Sequence, residues 1–117
     1  MAEGDITKVY ENDKIEVVMT WSIQIRKATI IKEEQADGSK LELTRKFHRH
    51  VLMPFDSHVV VGSDGFPELD SDGKKKWTHT ATDISGQDAD VKAVCNAVWT
   101  DSIKAEFKTW REAQPTL

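Results

Sequence analysis

The sequence predicts an α+β fold: an antiparallel sheet of four to five strands around a long hairpin, with a C-terminal helix or helices packed on one face. Three observations predict it. Apolar and polar residues alternate from Ile15 to Arg26 and again from Leu41 to Met53. A turn sequence, Gln35-Ala36-Asp37-Gly38-Ser39, separates the two runs. From Val91 onward the apolar spacing changes from two to three and four. Period two marks a half-buried strand, and the longer period marks an amphipathic helix.

The 117 residues suit one domain, taken as 1–117. At this size folding buries roughly two-thirds of the unfolded surface, enough for a core without disulfide or metal. Hydrophobic residues make up 38% and charged residues 31%, a globular composition that argues against disorder away from the termini.

In chain order, a short strand over Ile6–Tyr10 and a turn at Glu11-Asn12-Asp13 come first. The next strand puts Ile15, Val17, Met19, Trp21, Ile23 and Ile25 on one face. Glu16, Val18, Thr20, Ser22, Gln24 and Arg26 take the other. A three-residue loop, Ala36-Asp37-Gly38, joins it to the second long strand, because its last position needs the left-handed backbone that glycine adopts freely. That loop sets Ile31 opposite Leu43, Ile23 opposite Val51, Trp21 opposite Met53 and Lys32 opposite Glu42. A slip of one residue would turn every side chain to the other face.

His58-Val59-Val60-Val61 reads as a short buried strand, and Lys74–Thr82 as a strand carrying Trp77. Ser63-Asp64-Gly65 and Asp70-Ser71-Asp72-Gly73 are turns. In the helical part, Ser85 and Asp88 suit a helix start. Val91, Val94, Cys95, Val98, Trp99, Ile103, Phe107 and Trp110 form an apolar stripe. Thr100-Asp101 suits a second cap, so a break near residue 100 and one long helix both fit. Pro115 ends the pattern. The stripe reads as cover for the sheet face bearing Trp21, Ile23 and Val51. The alternative is that Trp99 or Trp110 enters a subunit interface.

Net charge is −4, which disfavours a protein that coats duplex nucleic acid. The lone cysteine, Cys95, forms no intrachain disulfide and fits a reducing compartment, or simply a fold that needs no staple. No secretory pattern opens the chain, and no apolar run approaches bilayer length, so no membrane is expected.

Arg45-Lys46-Phe47-His48-Arg49-His50 is the most distinctive stretch. In the register above, Arg26 lies opposite His48 and Gln24 opposite His50, giving a polar, basic face. Arg45 and Arg49 then fall among Phe47, Val51 and Leu43, where a charge must be paired, so either they meet carboxylates from the helix or that part of the face is surface. Arg26, Arg45, Lys46, His48, Arg49 and His50 are the candidate binding residues, with phosphate or another anion as ligand. His48 and His50, at i and i+2, are candidate metal ligands, with His58 or His79 as a third. Lys46 and Arg26 beside them repel a cation.

Glu68-Leu69-Asp70-Ser71-Asp72-Gly73 matches half of a calcium loop, but His79 stands where the bidentate glutamate belongs. Cys95 lies in an apolar stripe, where thiols pack inertly. Ser57-His58 lacks an orienting acid, and no phosphate-binding glycine loop is present.

Three runs, Ile25–Ile31, Phe47–Pro54 and Asp90–Thr100, resemble small uncharacterised proteins of marine cyanobacterial phages. They cover about a fifth of the chain and include no catalytic signature. The resemblance implies a viral accessory or virion protein made in a bacterial cytoplasm, and it carries over no functional residue.

With no coherent catalytic set and no cofactor motif, the chain reads as a non-enzymatic structural or accessory protein. It would act through self-association or a protein partner. A nucleic-acid or anion binder using Arg45–His50, or a metal-binding protein using His48 and His50, are the alternatives.

Overall fold

A computed structural model of the chain describes residues 2–115. Five strands precede two helices: β1 (Ile6–Val18), β2 (Ser22–Glu34), β3 (Lys40–Leu52), β4 (Phe55–Val59), β5 (Trp77–Ala81), α1 (Ala89–Val98) and α2 (Asp101–Glu112). The class is the α+β expected. The strands divide into a three-stranded antiparallel sheet, β1-β2-β3, and a two-stranded sheet, β4-β5. Pro54 sits between β3 and β4, where a residue without an N–H interrupts the ladder.

The alternating run from Ile15 to Arg26 is two strands, not one. β1 runs unbroken through Glu11-Asn12-Asp13, and the reversal comes at Met19-Thr20, both left-handed at φ 57° and 64°. A two-residue turn preserves odd-even parity, so the alternation passes through it without a phase break. The turn also lacks the Asn-Gly or Asp-Gly signature of its type.

Asp-Gly pairs do close three other reversals. Gln35 N–H bonds Ser39 C=O at 2.8 Å, with Gly38 N–H back to Gln35 C=O at 3.0 Å. Gly62 and Phe66 repeat this pattern around Gly65, and Asp70 and Lys74 repeat it around Gly73. All three glycines have φ near +80° (Gly38 85°, Gly65 81°, Gly73 78°). In the first two loops the aspartate carboxylate accepts an N–H two residues on, from Ser39 and from Phe66; Asp70 accepts from Asp72 and Lys74. The half calcium loop is therefore an exposed turn held by its own acid.

The chain forms two units, residues up to Val17 with Ile23–Val51, and Val18–Ser22 with Leu52 onward. In the first, β2 is the central strand. Ile23, Ile25, Ala28 and Ile30 of β2 are buried. Val51 is about half exposed, at 49%, so the apolar face expected to run on from Ile23 to Val51 ends before it.

In the second unit, α2 packs on β4-β5. Phe107 is 2% exposed and lies against Trp21, Phe55 and Trp110 at centroid distances of 6.0, 6.2 and 6.1 Å. The helices break at Trp99-Thr100, and Thr100 Oγ1 accepts the Ile103 N–H at 3.3 Å. At the other start, Asp88 takes the cap position without a side-chain cap bond. Trp99 Nε1–H donates to Trp21 C=O at 2.8 Å, and Trp110 stands 5.4 Å from the Trp21 ring. Both tryptophans serve packing within this unit. The same grip holds the residue after the strained turn.

Truncating Phe107 to alanine should cost about 3–5 kcal/mol of stability, read by denaturant unfolding. Replacing Met19-Thr20 by Asn-Gly should raise stability by about 1 kcal/mol, because a β-branched residue at positive φ is strained and Asn-Gly is not.

Candidate functional site

Of the residues singled out in sequence, Arg26, Arg45 and Arg49 meet on one face of β1-β2-β3. The Arg45 guanidinium donates to Glu11 Oε1 at 2.9 Å, Asp13 Oδ1 at 3.1 Å, and the Glu42 carboxylate at 2.8 and 3.2 Å. Arg26 pairs with the other oxygen of Asp13, its Nε at 2.8 Å, and lies 4.5 Å over the Phe47 ring. Arg49 donates to Gln24 Oε1 at 2.6 Å. One face thus joins all three strands through charge.

These contacts correct the expected register. The loop closes as expected, with Gln35 across from Ser39. Continued regularly, it would set Arg26 beside His48 and Gln24 beside His50, yet they meet Phe47 and Arg49. Glu42 and Arg45, three apart, would face opposite ways in a regular strand, yet their side chains bond. Both cross-strand contacts lie one residue off the regular ladder, the kind of offset that a β-bulge produces. The β1-β2 ladder needs none: Asp13 meets Arg26, and eight residues away in each strand Glu34 N–H bonds Asp5 C=O.

Lys46, His48 and His50 alternate with the arginines and so point to the opposite face, all exposed. The two imidazoles lie edge to face at 5.3 Å. Among the described residues, no group of three or more His, Cys, Asp or Glu is placed to hold a metal ion. The carboxylates that pair Arg45 come from β1 and β3 rather than from a helix. Hydrogen bonding to Arg45 pulls the Glu42 carboxyl below its ordinary range, and the bonds from Glu42 and Glu11 raise the guanidinium in turn.

The second unit holds a constellation that the sequence does not announce. β4 and β5 pair so that Ser57 lies directly across from His79. Ser57 Oγ and His79 Nδ1 are 2.6 Å apart, and His79 Nε2 is 2.8 Å from Glu112 Oε2 on α2. The imidazole side chain is 10% exposed. Trp77 stacks parallel to it at 6.1 Å and Phe55 meets it edge-on at 5.9 Å. A cleft of about 330 Å³ opens beside Ser57, lined by Met53, Phe55, Phe107, Trp110, Arg111 and Gln114 among others. The only sequence signal for this set is the β4-β5 register. Cys95 is buried, and burial pushes its thiol up, as inert packing requires.

Comparison with protein-family models, with curated proteins and with solved structures finds no match to this chain.

Glu42 titrates lower in the folded chain than its ordinary 4.5, so its contribution to stability is present above that value and lost as pH falls below it. Stability should drop as pH falls through and below 4.5. Arg45→Gln should flatten that drop without abolishing it, since Asp37 and Asp83 are also held low, by hydrogen bonds from Ser39 and Ser85. Urea midpoints across this range check it.

Proposed function

We propose that the chain is a structural or accessory protein that works by self-association, through the open edges of its β1-β2-β3 sheet. One observation carries this reading. Both edges are thirteen-residue strands, and β3 exposes Leu41 (53%), Leu43 (48%), Phe47 (48%) and Val51 (49%) along its length. A long edge with apolar side chains invites another strand, and proteins that stay apart blunt such edges.

A second copy offers the same apolar edge. Arg45 already answers Glu42, Glu11 and Asp13 within the chain, and Lys40, Lys46 and Arg49 leave β3 positive, so charge disfavours pairing of two β3 edges. Phosphate binding by Arg45–His50 has less support, because Arg45 already answers three carboxylates. The likeness of Phe47–Pro54 and two other runs to phage proteins agrees with an accessory or virion role.

Light scattering coupled to size exclusion should give a mass that is a multiple of the chain at micromolar concentration. Leu41→Glu with Val51→Glu should return the monomer with its circular dichroism unchanged. A strict monomer across the whole concentration range would remove the reading.

Among the described residues, no helix is long and apolar enough to cross a bilayer.

A further inference from the structure

We propose that Ser57, His79 and Glu112 form a nucleophilic relay, with Ser57 as an acyl-accepting hydroxyl toward esters of small apolar acids. The proposal is independent of self-association, because these residues belong to the other unit.

The hydrogen bonds fix the roles. An ionised carboxylate only accepts, so Glu112 takes the Nε2–H of His79. That tautomer leaves the Nδ1 lone pair free, and Ser57 Oγ–H points to it at 2.6 Å. The base is therefore oriented by an acid and already bonded to a hydroxyl, the arrangement that activates a serine. The nitrogens are used in the reverse of the common order, which the chemistry permits because either ring nitrogen can accept a proton. Trp77 and Phe55 flank the imidazole and restrict its rotation.

The neighbouring cleft supplies a place for substrate. Ser57 lines it, with Met53, Phe55, Phe107 and Trp110 as apolar walls. These walls suit a short acyl chain. Arg111, whose guanidinium stacks 4.9 Å from the Trp77 ring centroid, and Gln114, whose Nε2–H donates to Trp110 C=O at 3.0 Å, line the same cleft and carry further N–H groups for a developing oxyanion.

The reaction balances with water and ester alone. The Ser57 oxygen bonds the acyl carbon while its proton passes to His79 Nδ1. That proton goes to the departing alkoxide as the ester C–O bond breaks. Water, deprotonated by the same nitrogen, then cleaves the acyl-serine and restores the hydroxyl. Glu112 is a positioning residue that steadies the imidazolium.

A fluorophosphonate probe, read by intact mass and peptide mapping, tests this on the full chain. One adduct per chain at Ser57 is expected, absent in Ser57→Ala. His79→Asn should slow labelling by roughly 100-fold or more, the usual worth of a positioned base. Glu112→Gln, an exposed change that leaves the packing in place, should shift the pH profile of labelling as well as its rate. Labelling of Ser57→Ala at the wild-type rate would overturn the proposal. So would wild-type labelling no faster than that of His79→Asn in a variant with unchanged circular dichroism; the three groups would then only pin α2 to β5.

Discussion

The ion cluster on Arg45 decides which way β3 presents its side chains, and the reading of the first unit follows from that. One guanidinium answers Glu11, Asp13 and Glu42, while Arg26 shares Asp13 and covers Phe47. A surface pair alone contributes little. Here the charges span three strands, so the network specifies register more than it adds stability. Alternation along β3 then sends Lys46, His48 and His50 to the face away from Arg45 and Arg49. The basic stretch is thereby split into a neutralised half and an exposed half.

Much of this architecture is legible in the residues. The Asp37-Gly38 loop, the turns at Gly65 and Gly73, the strand carrying Trp77 and the Thr100 cap all follow from local chemistry, and all are present. What escapes detection does so for physical reasons. The Met19-Thr20 reversal preserves period two, so no pattern marks it. The offset of β3 shows only in contacts across strands, and two of the three carboxylates that answer Arg45, Glu11 and Asp13, lie on β1, 34 and 32 residues away. The separation of β4-β5 from the first sheet is tertiary and leaves no period of its own.

The candidate sites divide in the same way. The arginines, histidines and Lys46 stand out as a run in one strand. Ser57, His79 and Glu112 are far apart in sequence and meet only because the β4-β5 pairing sets two of them side by side and α2 lays the third against them. Strain sits in the same unit. Met19 and Thr20 hold a left-handed backbone beside a Trp21 gripped by Trp99, Phe107 and Trp110. Such a conformation persists where the surroundings over-determine it.

Side-chain proximities in β3 test the account most directly. Nuclear Overhauser effects in the labelled chain should join the Phe47 ring to Arg26, and the Arg49 side chain to Gln24, with none between His48 and Arg26. Contacts from His48 to Arg26 and from His50 to Gln24 instead would mean a ladder continued regularly from the Gly38 loop, and would contradict both the charge cluster and the edge built on it.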